Sequence, residues 1–543
     1  MLILKGTPVF SDIATGRFAV FCGNSEFEER GKAGTPAEEI ERFRSARTAA
    51  LAELAELYKS AVEKVGQSGA DLFEAHEMML CDDDYIDAVE TRIKDGDIRA
   101  EMAVDAAAKR ISAAFRAMDN AYMRERAADV FDISNRVKRL LGSGETRDFS
   151  AYDGAVLCAE DLYASDMLQL HIGTLAGIVL SGGSVNSHTA ILAQTLSIPM
   201  IVRTGMPFTE AGAHKTVLID GFTGTVYIDP SEAIQKDMET KKNAYDKRKL
   251  QLSRLRDSVS RTADGRKLPV FANIGSPDNL LQVEENGAEG IGLFRSEFLY
   301  LDKEDYPTEE EQFAAYKEVA EKMGARPVII RTLDMGADKQ AAYFKLKKEI
   351  NPALGMRAVR ISLARPDLFK TQLRALCRAS AFGKISVMFP LIVSLEEVLQ
   401  CKALLQAVQA ELKAQHLTYD EFMQVGIMIE TPAAALISDV LAEEADFFSI
   451  GTNDLVQYTL AVDRQQTELD ALFNPRHPAV LRLIQMTVEN GHKAGIPVGI
   501  CGDLGADLTL TETFLRMGVD ELSVAPAAIL PLREKICSLN LSK

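Results

Sequence analysis

Val425-Gly-Ile-Met-Ile-Glu-Thr-Pro432 is a run of five apolar or small residues that stops on a carboxylate, Glu430, and then on Thr431-Pro432. Such a run, bounded by turn residues, reads as a strand buried on both faces. Its counterparts are Pro269-Val-Phe-Ala272, Gly290-Ile-Gly-Leu-Phe294, Pro327-Val-Ile-Ile330, Ile385-Ser-Val-Met-Phe389, Asp446-Phe-Phe-Ser-Ile450, Pro497-Val-Gly-Ile500 and Glu521-Leu-Ser-Val524. Helical stretches such as 310–323 and 395–409 fall between them. Eight alternating units within residues 261–543 predict a (β/α)8 barrel, with its active site at the C-terminal ends of the strands.

That rule names candidates directly. Arg295 follows the second strand, Arg331 the third, Glu430 the fifth, Asn453 and Asp454 the sixth, and Cys501 the seventh. Arginines offer forked donors to phosphate oxygens, with Arg357 in Asn351-Pro-Ala-Leu-Gly-Met-Arg357 as a third, and Arg464 is placed to hold a carboxylate. Glu430 and Asp454 are hard oxygen ligands of the kind that hold magnesium together with a substrate phosphate. Each has an ordinary reading too: Arg295 with Glu297 as a structural pair, Glu430 as a strand-end cap, Cys501 as core. Spread together over five strand ends, they point to a pocket for a small, multiply anionic phosphorylated acid. No Gly-x-x-x-x-Gly-Lys loop occurs, so nucleotide is not suggested.

Outward from the barrel, residues 231–260 carry Ile234, Met238, Tyr245, Leu252 and Leu255 at helical spacing, a linker helix. Residues 146–230 hold short strands around Ser181-Gly-Gly-Ser-Val-Asn-Ser-His-Thr-Ala190. His188 there follows the strand 176–180 and opens a helix, where unpaired N–H groups and the helix dipole favour a phosphoryl group on the ring. A surface histidine at a helix start looks the same in isolation. Between these lies a helical region, 22–145, opened by the capping box Thr35-Pro36-Ala37-Glu38. Its expected helices are one from Thr35, shorter ones near 72–80 and 84–94, and a long one over 99–141. His76 reads as a structural or contact residue. Residues 1–21, strand-like at Phe18-Ala-Val-Phe21, are expected to join 146–230, making the helical region an insertion.

The chain has 543 residues, room for about three or four domains, and a formal net charge of −18. That charge argues against nucleic acid and favours a basic protein partner. Its seven cysteines make no Cys-x-x-Cys pair, as expected of reduced thiols. The N-terminus has too short an apolar run for a signal peptide and no stretch reaches membrane-spanning length, so a cytoplasmic protein without membrane insertion is expected.

Several long motifs stand in order: Gly292-Leu-Phe-Arg-Ser-Glu-Phe298, Arg331-Thr-Leu-Asp-Met-Gly-Ala-Asp-Lys339, Leu373-Arg-Ala-Leu-Cys-Arg-Ala-Ser-Ala-Phe-Gly383, Ser449-Ile-Gly-Thr-Asn-Asp-Leu-Val-Gln-Tyr458, Asn474-Pro-Arg-His-Pro478 and Gly499-Ile-Cys-Gly502, with Tyr122-Met-Arg-Glu-Arg-Ala-Ala-Asp129 in the insertion. Over essentially its whole length the chain resembles Enzyme I of the bacterial phosphoenolpyruvate:sugar phosphotransferase system.

The resemblance implies an α/β multidomain protein with a swivelling phosphohistidine α/β domain (1–21 and 146–230), an inserted all-α domain docking the carrier HPr (22–145), a linker helix (231–260) and a phosphoenolpyruvate-binding, dimerising barrel (261–543). It implies phosphoryl transfer from phosphoenolpyruvate to His188 with release of pyruvate, then to a histidine of HPr, as the first step of sugar uptake. Arg295 and Arg331 would bind the phosphate with Arg357 supporting, Arg464 the carboxylate, and Glu430 and Asp454 Mg2+, with Asn453 completing the pocket and Cys501 protonating the methylene carbon. Hinges are expected at 142–144 and 229–235. The chain departs from the family's pattern at Val185 and Asn186, which stand where arginine and threonine are usual, at Phe10-Ser-Asp-Ile13 in place of a Ser-Pro-Gly turn, and at Asp503, usually glutamate. The alternative is a catalytically weak regulatory phosphoprotein of the same architecture. Related dikinases and synthases need a nucleotide-binding domain for which no segment is left.

Overall fold

A computed structural model describes the chain apart from residues 22–32, 97, 119–120, 143–148, 172, 186, 209–214, 302, 304, 337–341, 348, 465, 470 and 543. Cys22, Asn186 and the 143–144 part of the expected hinge lie outside the described residues. The chain forms two compact units, Met1–Lys247 and Arg248–Lys543.

In the first unit, eight strands make one sheet: β1 (Leu2–Lys5), β2 (Thr7–Phe10), β3 (Ile13–Val20), β4 (Ala155–Ala159), β5 (Gly177–Leu180), β6 (Met200–Val202), β7 (Thr216–Asp220) and β8 (Thr225–Ile228), in the order β1-β8-β7-β3-β4-β5-β6-β2. The first residues supply three strands rather than one, and β3 runs between β4, parallel, and β7, antiparallel. Alternation along the strands gives the sheet two apolar faces. Val156, Cys158, Val179 and Ile201 line one, with Ala14, Phe18, Val217 and Val226. Leu157, Ala159, Ile178, Leu180, Met200 and Val202 line the other, whose core continues into the helices.

Those helices are α1 (Pro36–Cys81), α2 (Asp83–Gly96), α3 (Ala100–Arg116) and α4 (Ala121–Leu141), with α5 (Ala164–Gln169) and α6 (His188–Thr195); α7 (Glu232–Ser253) then runs across the boundary at Lys247. The Thr35 capping box forms as expected: Thr35 N–H donates to Glu38 Oε2 at 2.8 Å and Glu38 N–H to Thr35 Oγ1 at 3.4 Å. Two expectations need correcting. The stretch 72–80 is not a separate helix but the end of α1, because buried Ala61, Ala70, Phe73 and Leu80 extend one apolar stripe. That stripe outweighs the roughly 1 kcal/mol cost of each of Gly66 and Gly69 inside the helix. The stretch 99–141 is two helices, not one: the chain turns after Arg116, and α3 and α4 bury Ala103, Val104 and Ala107 with Ile133 and Val137 in a common core.

The second unit is a closed parallel barrel of β9 (Val270–Ile274), β10 (Ile291–Arg295), β11 (Val328–Arg331), β12 (Ile385–Phe389), β13 (Val425–Ile429), β14 (Phe447–Ile450), β15 (Val498–Ile500) and β16 (Glu521–Val524). Outward residues such as Val387, Ile427 and Leu522 pack under the surrounding helices. Leu293, Ile329, Met388, Met428, Phe447 and Cys501 fill the interior.

The barrel also fastens the chain that leads into it. Arg533, wholly buried in the helix Pro526–Ser538, donates to Ser260 Oγ and to the carbonyls of Leu255, Arg256 and Gly287 over 2.5–3.0 Å. Arg533→Met removes all these donors at once and leaves buried carbonyls unpaired. The expected loss is about 3–5 kcal/mol in denaturant unfolding of the barrel. Among the described residues no helix is long and apolar enough to cross a membrane.

Candidate functional site

Parallel strands deliver their last residues to one end of the barrel, and the charged candidates meet there. Arg295 and Arg331 end neighbouring strands and stand opposite each other in register. Arg295 is exposed, and its side chain makes no hydrogen bond or ion pair among the described residues. Arg331 is buried: its Nη2 donates to Glu297 Oε1 at 2.7 Å and its Nη1 lies 2.9 Å from Asp334 Oδ2. Glu297 therefore serves Arg331, and the alternative pairing with Arg295 does not occur. Burial opposes the Arg331 charge, but Glu297, Asp334 and Glu430 outweigh it and hold its pKa above the ordinary value. Its buried Nε has no partner, a donor left for a ligand.

Asp334 is the residue that sequence reasoning passed over. It also accepts from Arg357 Nη2 at 3.1 Å, so one carboxylate aligns two buried guanidinium groups. Arg357, opposed by burial and favoured by Asp334, Tyr458 and Asp454, likewise has a raised pKa and an unpaired buried Nε. Both arginines stay charged, with a donor each to spare.

Glu430 lies 2 % exposed at the end of β13, its Oε1 accepting from Leu391 N–H at 2.6 Å. Burial, with Asp454 and Asp334 nearby, raises its pKa well above the carboxylate range, despite Arg331 and the Leu391 N–H. Asp454 has a buried Oδ1 without a hydrogen-bond partner, and its Oδ2 is 3.3 Å from Arg464 Nη1. Two crowded carboxylates, one with an orphaned oxygen, fit a hard divalent cation that would neutralise their repulsion. Arg464 is exposed and ion-paired with Asp454.

Gly451 makes this packing possible, since a Cβ there would stand 2.8 Å from Glu430 Oε2 and 2.9 Å from its Cβ. Gly451→Ala must therefore displace Glu430. The affinity of the two carboxylates for a divalent cation should then fall about 10-fold or more, read by calorimetric titration with Mg2+.

Asn453 is tied to Asp503 twice: its Nδ2 donates to Asp503 Oδ2 at 3.0 Å and its Oδ1 accepts from Asp503 N–H at 2.9 Å. Asp503 thus closes a two-way clasp between the ends of β14 and β15. Cys501 is 2 % exposed inside the barrel, and its Sγ faces Ile450 O at 3.7 Å. Burial pushes its thiol up to about 12, only partly offset by Ser449 and Arg331, so the proton stays on sulfur at neutral pH.

His188 belongs to the first unit. It opens α6, capped by Ser187, whose Oγ accepts from Ala190 N–H at 3.2 Å and donates to Ser184 O at 2.9 Å. Val185, in the position where arginine was the expected type, instead packs partly buried against the apolar core. The imidazole is 28 % exposed, with Nδ1 at 3.4 Å from Asp129 Oδ1 on α4. The same oxygen is 3.4 Å from Nε2 of His76 on α1. Burial alone would raise the Asp129 pKa, but the two histidines hold it well below the usual range. No spacing in the sequence joins positions 76, 129 and 188.

Models of known families match three segments: "PEP-utilising enzyme, N-terminal" over 5–126, "PEP-utilising enzyme, mobile domain" over 151–224, and "PEP-utilising enzyme, PEP-binding domain" over 249–541. The chain is 41% identical to the phosphoenolpyruvate-protein phosphotransferase of Staphylococcus carnosus, covering 93% of this chain and 88% of that protein. It is 40% identical to the protein of that name from Priestia megaterium, covering 99% and 94%. Among solved structures, an NMR structure of Enzyme I (nEIt) is similar, with 30% identity and TM-score 0.38, covering 45% of this chain and 99% of that one.

Proposed function

Since the chain belongs to the phosphoenolpyruvate-protein phosphotransferases among the PEP-utilising enzymes, we propose that it moves a phosphoryl group from phosphoenolpyruvate to His188 and on to a histidine of an HPr-type carrier. The observation that carries this reading is the barrel-end cluster: two buried arginines with spare donors beside two crowded carboxylates. Nothing in the site favours the regulatory alternative.

Arg295 and Arg331 take the phosphate oxygens, Arg357 supports them, and Arg464 takes the substrate carboxylate. Glu430 and Asp454 hold Mg2+, which when bound polarises the phosphoryl group and stabilises negative charge on the enolate oxygen. Asn453, clasped to Asp503, fixes the wall beside Asp454. An imidazole nitrogen of His188 attacks phosphorus, the bridging P–O bond breaks, and its electrons stay on the enolate. Cys501 then gives its proton to the methylene carbon, and pyruvate leaves. Because His188 must meet the barrel in one step and the carrier in the next, segment 229–235 acts as a hinge for a swivelling α/β domain. The helices 36–141 dock the basic carrier, the barrel forms the homodimer, and the protein works in the cytoplasm as the first step of sugar uptake.

The test is incubation of the purified protein with phosphate-labelled phosphoenolpyruvate and Mg2+. Acid-labile, alkali-stable label that moves to added HPr is expected; absence of label overturns the proposal.

A further inference from the structure

Asp129 has no part in the scheme above, yet it is buried on α4 with one oxygen 3.4 Å from the imidazole of His188 and 3.4 Å from that of His76. His76 is wholly buried, its ring set edge-on against Phe73 with centroids 5.7 Å apart. Among the described residues, neither of its ring nitrogens has a hydrogen-bond partner. A histidine and a carboxylate are costly to bury together unless they are paired. Here the pair is aimed at the nucleophile.

We propose that Asp129, steadied by His76, is a positioning group for His188 that keeps a proton on Nδ1, presents Nε2 as the atom that carries phosphate, and promotes transfer from Nε2 to the carrier.

The chemistry follows from the ring. A carboxylate at one imidazole nitrogen selects the tautomer with hydrogen on that nitrogen and leaves the other lone pair free to attack. Phosphorylation of Nε2 consumes that lone pair. In the second transfer a carrier nitrogen bonds to phosphorus while the P–Nε2 bond breaks and its electron pair returns to Nε2. With Nδ1 protonated the departing ring is neutral imidazole; without that proton it would be an imidazolate anion, a far poorer leaving group. Asp129 stabilises the protonated, positively charged phosphoimidazole and so lowers the barrel-independent step. His76, within reach of the same oxygen, stops the carboxylate from turning away.

Described charged groups on the neighbouring elements include Lys64 on α1, Asp161 and Asp166 at α5, and Arg126 and Asp132 on α4. Arg126 Nε is 4.0 Å from Asp129 Oδ2, and Asp132 accepts from Ser165 N–H at 3.2 Å and from its hydroxyl. Among the described residues, Asp129 is the carboxylate paired with the ring.

This inference rests on the proposed function, and the experiment separates the two. Wild type and Asp129→Asn are phosphorylated with labelled phosphoenolpyruvate and Mg2+, freed of substrate, and mixed with HPr from about pH 5.5 to 9. In Asp129→Asn the transfer at neutral pH should fall roughly 10-fold or more, with its pH profile displaced toward acid. Asp129→Glu should recover part of the rate, and His76→Gln should give a smaller displacement. Nitrogen NMR of the unphosphorylated protein should show the Nδ1–H tautomer of His188 in wild type and its loss in Asp129→Asn. An unchanged pH profile together with an unchanged tautomer overturns the inference, even if the variant is slower, because a merely structural role moves neither. Wild type that takes no label overturns the function itself.

Discussion

His188→Ala is expected to end phosphorylation: with labelled phosphoenolpyruvate and Mg2+ the variant should retain no acid-labile, alkali-stable label, a drop of roughly 10⁴-fold or more. The physical reason is that no other group replaces a nucleophile once its ring is gone. Truncation at a ring that is 28 % exposed removes little packing, and Ser187 still caps α6 through its own hydroxyl. The fold should survive, so thermal unfolding of the first unit should move by only a few degrees. Label that persists in His188→Ala would sink the assignment, and label transferred from it to HPr would mean that another histidine carries the group.

The second large effect is expected at Arg331. Its guanidinium lies between Glu297 and Asp334 at 2.7 and 2.9 Å, and Glu430 adds a third nearby carboxyl. Arg331→Met deletes the cation that bridges Glu297 and Asp334, leaving Asp334 to Arg357 and Glu297 buried without its ion-pair partner. Removing one partner of a buried ion pair typically costs about 3–5 kcal/mol. The phosphorylation rate should also fall by roughly 10²–10³-fold, as when one transition-state donor is lost. Arg331→Lys separates the two roles: it keeps the charge but loses the fork. Stability should then largely return while the rate stays low, measured by urea unfolding and by initial rates of label uptake. A methionine variant phosphorylated at the wild-type rate would remove Arg331 from the site.

Much of the barrel was legible because each strand is a short apolar run closed by proline, glycine or a charged residue. The strands 385–389, 425–429 and 521–524 form over the very residues expected. A parallel strand buried on both faces leaves no polar alternation to confuse the pattern. The helices were less legible. A separate helix was expected over 72–80, yet α1 runs through Gly66 and Gly69 to Cys81, and 99–141 looked continuous because the residues after Arg116 include no proline or glycine. Helical periodicity reports a face, and says little about where a helix doubles back.

The site divides in the same way. Arg295, Arg331, Glu430, Asp454 and Cys501 could be named because a parallel barrel presents whatever follows each strand at one end. The partners that tune them could not. Asp334 stands only three residues beyond Arg331, but its second contact, with Arg357 at 3.1 Å and 23 positions away, exists only in the folded chain.

By itself, the sequence determined the barrel, the α/β sheet around His188 and the chemical types at the strand ends, since these depend on local patterning. The tertiary structure alone decided which charges pair, that Gly451 yields space to Glu430, and that His76 and Asp129 converge on His188. Pairing depends on distances between residues far apart in the chain, and those distances exist only once the helices and strands have packed.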